Sequence, residues 1–229
     1  MKLFLIFIIT SFSYISAAVI GQIEEKKGNI KVKTLNSIVK KKVAKGYKLQ
    51  EGDIVTSYND SYAKIVLIDH STIILDKESI LQFASATNLK QKSGRVFYKI
   101  TSKKVKNSFQ VKTDFAIIGI KGTTFIIKVT NDKEVLLKEG VVEIDSIKKE
   151  FELYRKKIKS QFEDFKSKQK EEFKTYKDEY SQYQKSMTKT FDLQKQHKIS
   201  FDKNRVKEDD FNKKDKQEFK YFEKLIDEI

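Results

Sequence analysis

Hydrophobic and polar residues alternate along residues 19–145, which predicts β-strands. In Asn29–Lys33 every second residue is aliphatic, so one face of that segment is apolar. Apolar segments also flank short polar turns at Asp69–Ser71 and at Asn131–Asp132, as they do in β-hairpins. Short strands joined by polar turns, without a helical pattern between them, indicate an all-β domain. A sandwich, a jelly roll and a short solenoid all fit this pattern.

Five glycines fall between the predicted strands, where the chain has to turn. Each precedes an apolar segment, and we expect positive φ angles there because glycine adopts them without steric cost. These residues are Gly46, Gly52, Gly94, Gly122 and Gly140.

The pattern changes after residue 146, beyond which the chain contains no glycine. From Ile147 to Tyr180 the positions of one stripe follow at intervals of four, three and four, so the pattern repeats every eleven residues. All of these positions are apolar or aromatic except Gln169. Such a repeat corresponds to about 3.67 residues per turn and is typical of a helix with one apolar stripe. A second amphipathic segment runs from Glu208 to Ile229, after a break at Asp202–Asn204. We therefore expect a long amphipathic helix or a helical hairpin over residues 146–229.

The aromatic stripe of this tail needs a partner, because an isolated amphipathic helix has little stability in water. The β domain or the second helix is one candidate partner. Another copy of the chain, joined in a coiled coil, is the second, and a membrane surface is the third. The sequence leaves these alternatives open, so a homo-oligomer formed through the helical tail is one of them.

The first 18 residues have the composition of a signal peptide. Lys2 supplies a positive charge, Leu3–Ile15 forms an apolar core, and Ser16–Ala18 offers the small residues that a signal peptidase requires. The alternative is an uncleaved anchor, because Val19 and Ile20 extend the apolar run towards the length of a membrane span. We expect an exported chain, periplasmic or secreted, that begins near Val19.

Several segments of the β half resemble the FecR domain family in their joint order and spacing, over roughly residues 45 to 145. The segments are LQEGDIVT at Leu49–Thr56, SYAKIVLIDHSTIIL at Ser61–Leu75, GRV at Gly94–Val96, FQVKT at Phe109–Thr113, GIKGTTF at Gly119–Phe125 and EGVV at Glu139–Val142. One departure is His70, which stands where the family usually has glycine in a hairpin turn. This difference implies another turn type within the same fold.

The resemblance implies an exported β domain that contacts a protein or a surface polymer, and the family is not associated with catalysis. Its best-known members carry a cytoplasmic anti-sigma segment before one membrane span. This sequence has no such segment before its apolar leader, so we do not expect a sigma-regulatory role. The expected organisation is a signal peptide at 1–18, a FecR-like β domain at 19–145 and a charged helical, coiled-coil tail at 146–229.

Charge and composition narrow the possible partners. The 47 lysines and arginines outnumber the 32 acidic residues and give a net charge of +15. Specific nucleic-acid recognition favours arginine, and the three arginines, Arg95, Arg155 and Arg205, lie far apart, so we expect no specific nucleic-acid binding. An envelope protein or an acidic polymer is the expected partner, and contact with a membrane surface is compatible with the charge. The absence of cysteine excludes disulfides, cysteine-based zinc sites and a thiol nucleophile.

No group of residues in the sequence indicates a reaction. The two histidines, His70 and His197, lack evident partners for a metal site or a catalytic triad. Asp53 and Asp69 adjoin predicted turns, where a carboxylate normally bonds the backbone. We therefore predict no catalytic, cofactor-binding or metal-binding residues and no cofactor.

The sequence favours a non-enzymatic periplasmic or cell-envelope binding protein. Its β domain would engage a protein or a surface polymer, and its helical tail would provide oligomerisation or spacing. The alternative is a structural or adhesive component of the envelope, in which the tail assembles and the basic surface holds acidic polymer.

We predict that the exported chain begins at Ala18 or Val19, because the small residues of the leader end there. Amino-terminal sequencing of the protein from an envelope fraction measures this directly. Recovery of the chain with Met1 intact in a membrane pellet would support the anchor instead.

Overall fold

The computed structural model describes residues 18–101, 109–156 and 183–227, which form seventeen strands and one helix. The strands of the first half are β1 Val19–Lys27, β2 Ile30–Lys33, β3 Lys41–Lys42, β4 Lys48–Gln50, β5 Ile54–Ser57, β6 Tyr62–Leu67, β7 Thr72–Leu75, β8 Ile80–Phe83 and β9 Asn88–Lys99. They are followed by β10 Phe109–Lys112, β11 Ala116–Val129, β12 Lys133–Ser146, β13 Phe151–Lys156, β14 Tyr183–Thr188, β15 Thr190–Leu193, β16 His197–Asp202, β17 Arg205–Asp210 and the helix α1 Lys213–Asp227.

Two runs of hydrogen-bonded strands share the three longest strands. The first run has the order β4-β1-β6-β7-β9-β11-β12-β16-β17-β13-β14. The second has the order β3-β2-β5-β8-β9-β10-β11-β12-β15. Neighbours are antiparallel except for the pairs β9–β10 and β13–β17, which are parallel.

The two runs enclose one hydrophobic core. Buried residues of the first run, such as Ile65 and Tyr98, belong to the same cluster as Val55 and Phe83 of the second run. In most strands the buried residues alternate with exposed polar ones, so one face packs inward and the other meets water. This arrangement confirms the β-structure that the alternation predicted for residues 19–145, and most of the described residues lie in strands.

Four neighbouring strands of the first run are buried on both faces. In each, three consecutive apolar residues are buried, and the middle one belongs to a second, smaller cluster on the outer face. The four middle residues are Ile74 of β7, Phe97 of β9, Ile126 of β11 and Leu136 of β12. We call these four residues the outer patch. The helix α1 covers it with Phe219 and Phe222, and the ring of Phe222 stacks on Phe97 with 5.4 Å between centroids.

The ends of α1 are fixed by polar contacts. At its start, the backbone N–H of Asp215 donates to Asn212 Oδ1 (3.0 Å), and the N–H of Asn212 donates to Asp215 Oδ2 (2.8 Å). This reciprocal pair satisfies two donors that a helix start leaves free. In the last turn Lys64 Nζ donates to the carbonyl of Ile226 (3.1 Å), where a cation also complements the helix dipole.

The predicted helical tail is wrong for residues 151–156 and 183–210, which form β13 to β17. There the buried residues recur at every second position, as Ile199 and Phe201 do in β16, and the backbone groups pair with neighbouring strands. The expected break at Asp202–Asn204 is the turn of the β16–β17 hairpin. Helix is confirmed in the second amphipathic segment, at Lys213–Asp227. Most of the eleven-residue pattern, at 157–182, lies outside the described residues, as does the leader at 1–17.

Within the described residues, no helix combines the length and the apolarity needed to cross a membrane.

The three shared strands change partners near glycines with positive φ. All five glycines for which positive φ was expected have it. The expectation that they fall between strands is wrong for Gly94, Gly122 and Gly140, which lie inside β9, β11 and β12. Gly122 lies at an irregularity in the pairing with β12. Its carbonyl oxygen lies 2.3 Å from the position that a Cβ would take at Gly140, whose φ is +91°. Strands β11 and β12 can therefore pass from one run to the other only if position 140 is glycine.

We predict that Gly140→Ala lowers the free energy of unfolding by about 3 kcal/mol, the combined cost of positive φ and a backbone clash. The matched control is Gly46→Ala, because Gly46 has φ +84° but no atom within 4 Å of its missing Cβ. The control should cost only about 1 kcal/mol. Urea unfolding followed by circular dichroism compares the two, and equal losses would contradict the proposed clash.

Candidate functional site

Four connections of the fold converge on a cleft with an aromatic floor. The cleft has a volume of about 330 Å³ and is lined by residues of the β10–β11 turn, the start of β12, the β12–β13 loop and the β16–β17 turn. Phe115, Phe151 and Phe201 supply aromatic rings, with Phe115 and Phe201 only 4.5 Å apart between centroids. We call this feature the aromatic cleft.

Local hydrogen bonds fix the position of the half-buried ring of Phe115. Thr113 Oγ1 accepts the backbone N–H groups of Phe115 (3.2 Å) and Ala116 (3.0 Å), which closes a tight turn between β10 and β11. On the opposite side, Glu152 N donates to the carbonyl of Asn204 (2.8 Å) and ties the start of β13 to the β16–β17 turn. The floor is therefore held from both sides, while the ring of Phe115 stays accessible.

Lysines surround the opening of the aromatic cleft. Lys133 pairs with Asp114 and lies 5.8 Å from the centroid of Phe115. Lys148, Lys149 and Lys203 are exposed, and none of them has an ion pair within the described residues. Three uncompensated cations above an apolar floor favour a ligand that combines an anionic group with an apolar part.

A second polar depression lies along α1, and its charges are compensated by one another. Seven residues alternate in sign in a continuous series, which we call the ion ladder: Asp76, Arg95, Glu218, Lys128, Glu134, Lys198 and Asp215. The N–O distances between consecutive members are 2.5, 3.3, 2.8, 2.9, 3.6 and 3.3 Å. Glu218 and Asp215 belong to α1, and the other five extend from the sheet, so the ladder attaches the helix.

The ion ladder shifts the pKa values of three of its members, Glu134, Lys128 and Arg95, so that each favours its charged form. Burial alone opposes ionisation of Glu134, but Lys128 and Lys198 outweigh it and hold the pKa of Glu134 below its ordinary value. The pKa of Lys128 is raised because Glu218 and Glu134 overcome the effect of burial. The same balance raises the pKa of Arg95 beside Asp76 and Glu218. Charges satisfied in this way stabilise the fold and leave little for a ligand.

The residues weighed from the sequence are separate and occupy turns. His70 is exposed, with φ +64°, in the β6–β7 turn, and His197 lies 3.0 Å from Asp210 in the β16–β17 hairpin. Asp69 Oδ1 accepts the N–H of Ser71 (3.0 Å). Asp53 is buried and accepts the N–H of Gln50 (3.1 Å), and burial raises its pKa. None of these residues lines the aromatic cleft.

Among residues 18–101, 109–156 and 183–227, no group of three or more histidines or acids is arranged to hold a metal ion. The residues of the aromatic cleft were not predicted from the sequence, because they come from four separate segments. The available signals were Phe115 next to Asp114 in a turn and the basic pair Lys148–Lys149 directly before a strand.

Part of the chain matches a known protein family. A family model described as FecR protein matches residues 53–143, which contain β5 to β11 and most of β12. The strands before and after this segment pair with it and complete both runs. The aromatic cleft combines residues within the match, such as Phe115, with residues beyond it, such as Phe151.

Solved structures that match this chain include two of a candidate anti-sigma factor from Parabacteroides distasonis ATCC 8503. Each is 12% identical and covers 69% of this chain, with TM-scores of 0.47 and 0.46. The chain spans 60% of the length of these structures. A comparison with curated proteins finds no match.

We predict that the ion ladder makes stability depend on acid pH through Glu134. Its folded-state pKa lies below the ordinary value of 4.5, so its contribution is present above that pH and is lost as the pH falls through the folded-state pKa. At neutral pH, Glu134→Gln should lower the free energy of unfolding by about 1–2 kcal/mol, because two lysines lose an anionic partner. The difference from the parent should shrink as the pH falls below 4.5 and through the folded-state pKa.

The control for this prediction is Glu223→Gln, which removes a half-buried pairing with Lys138 outside the ion ladder and should cost under about 1 kcal/mol. Urea unfolding of the parent and both variants at several pH values gives the comparison. A difference between parent and Glu134→Gln that stays constant with pH would show that Glu134 acts through packing rather than through charge.

Proposed function

We propose that this chain, whose residues 53–143 form a FecR-family domain, is a non-enzymatic binding protein of the cell envelope. The aromatic cleft engages an acidic group on an envelope protein or a surface polymer. The observation that carries this proposal is the combination of an apolar aromatic floor with Lys148, Lys149 and Lys203 at the opening.

The placement of the cleft supports binding rather than structural support. Its walls are turns and loops held by a rigid sheet, which is the usual arrangement of recognition sites. The three lysines can be charged and solvated without contributing to the fold, in contrast to the buried cations of the ion ladder. A carboxylate or a phosphate group would gain from all three, and an adjacent apolar group would cover Phe115.

The absence of catalysis is part of the proposal. Of the residues weighed as catalytic candidates, Asp53 and Asp69 accept backbone N–H groups in turns and His197 lies beside Asp210, and none of them lines the aromatic cleft. The FecR family is generally non-enzymatic, which agrees with a role in recognition.

Location and finer fold belong to the same proposal. The signal-peptide composition of residues 1–18 supports export to the periplasm or beyond. The two runs of strands around one core favour a β-sandwich among the three architectures compatible with the sequence. The strands found at residues 183–210 remove much of the basis for a coiled-coil tail, so the binding role rests on the β-structure.

The test is binding of a short acidic peptide that contains one phenylalanine, measured by titration calorimetry with the chain from Ala18 onward. A triple variant should weaken binding about tenfold, because each exposed charge contributes about 0.5 kcal/mol. It combines Lys148→Gln, Lys149→Gln and Lys203→Gln. The matched control combines Lys40→Gln, Lys41→Gln and Lys42→Gln, which removes the same charge far from the cleft in sequence and should leave binding nearly unchanged.

Two results would contradict the proposal. One is equal weakening by both triple variants, which would indicate attraction by net charge alone. The other is loss of binding only in the control. Phe115→Ser gives an independent measurement, because it removes the accessible ring without changing the charge and should weaken binding of the same peptide.

A further inference from the structure

The hairpin of β2 and β3 concentrates much of the positive charge of the chain. Residues 30–50 contain seven lysines and no acidic residue, against a net charge of +15 for all 229 residues. Lys40, Lys41 and Lys42 are exposed, and Lys33 is half-buried at the other side of the loop. Within the described residues none of these four has an ion pair. The nearest acids in sequence are Glu25, which is paired with Lys45, and the exposed Glu51.

Exposed aliphatic side chains form the tip of this hairpin. Ile38 is 94% exposed, Leu35 69% and Val39 64%. The other large exposed hydrophobic residues of the described chain stand singly at distant positions in the sequence. Single exposed aliphatic side chains are common on protein surfaces. Three of them within five residues of one loop are unusual and indicate an interaction site.

The tip is held in place by its own hydrogen bonds. Ser37 N donates to the carbonyl of Thr34 (3.1 Å), Val39 N donates to Ser37 Oγ (3.1 Å), and Ser37 Oγ donates to the carbonyl of Val39 (3.0 Å). At the base, Val43 is buried in the main core. Ile38 and Val39 therefore project from an ordered loop, while Leu35 packs one side against Gly52 and leaves the rest of its side chain exposed.

We propose that the β2–β3 hairpin docks this protein on an anionic phospholipid surface. Ile38, Val39 and Leu35 enter the boundary between headgroups and acyl chains, and Lys33 and Lys40–Lys42 contact the anionic headgroups around them. An acidic polysaccharide would satisfy the lysines but would leave the aliphatic tip in water. A lipid surface matches both features at once. The hairpin shares no residue with the aromatic cleft, so this inference does not depend on the binding role proposed for the cleft.

The experiment uses vesicle flotation with the chain from Ala18 onward, which retains every described strand and α1. The apolar leader is left out because it would bind lipid itself. The parent should float with vesicles of equimolar phosphatidylglycerol and phosphatidylcholine and should stay behind with pure phosphatidylcholine. High salt should weaken the binding, because it screens the headgroup charge.

Two variants test the two parts of the hairpin. The tip variant, Ile38→Asn with Val39→Asn, should weaken vesicle binding at least about tenfold, since it removes two side chains that would be buried in lipid. The lysine variant combines Lys40→Gln, Lys41→Gln and Lys42→Gln; we call it the collar variant, because these lysines surround the tip. It should weaken vesicle binding at least about tenfold, since each lysine near an anionic surface contributes up to about fivefold. Both change exposed side chains, so their urea midpoints should match that of the parent.

Each variant has a matched control elsewhere on the surface. Ile68→Asn with Met187→Asn removes two exposed apolar side chains, and Lys90→Gln with Lys92→Gln and Lys99→Gln removes three exposed charges. Both controls should bind anionic vesicles within about twofold of the parent. The proposal is overturned if the parent does not float with anionic vesicles, if the tip variant binds as tightly as the parent, or if the lysine control weakens binding as much as the collar variant does.

Discussion

Burial of four neighbouring strands on both faces is the constraint on which the rest of the structure depends. One face of β7, β9, β11 and β12 closes the main core, and the other presents the outer patch to α1. A sheet with two apolar faces is stable in water only when both are covered. The chain covers the inner face with the second run of strands and the outer face with a single amphipathic helix. The ion ladder then aligns that helix through charges drawn from successive strands.

The strands of the β half were predictable because each carries a local signal. Alternation identified segments such as Ile30–Lys33, and the glycines marked the places where the chain needs positive φ. The sequence also contains a signal for the helix that covers the outer patch. Three consecutive apolar residues recur in β7, β9, β11 and β12, as in Ile73–Leu75, and a strand with one wet face would alternate instead.

The carboxyl-terminal strands were missed because spacing alone favoured a helix. Phe151 and Tyr154 are three positions apart, which fits a helical face, but Phe151 and Leu153 alternate and are the residues that the core buries. Hydrogen bonds from β13 to β14 and β17 favour the strand over the helix. Because these partners are distant in sequence, the local residue pattern does not indicate the pairing. The aromatic cleft was unpredictable for the same reason, since its parts meet only after the strands have paired.

The position of α1 in the chain has a consequence for how the protein is made. All seventeen strands precede it, so a ribosome would deliver the whole sheet before the segment that covers the outer patch. During that interval Ile74, Phe97, Ile126 and Leu136 would face solvent together, which is a surface that chaperones bind and that drives aggregation. A chain interrupted before Lys213 would keep that surface permanently. Completion of α1 is thus the step that removes this surface from solvent.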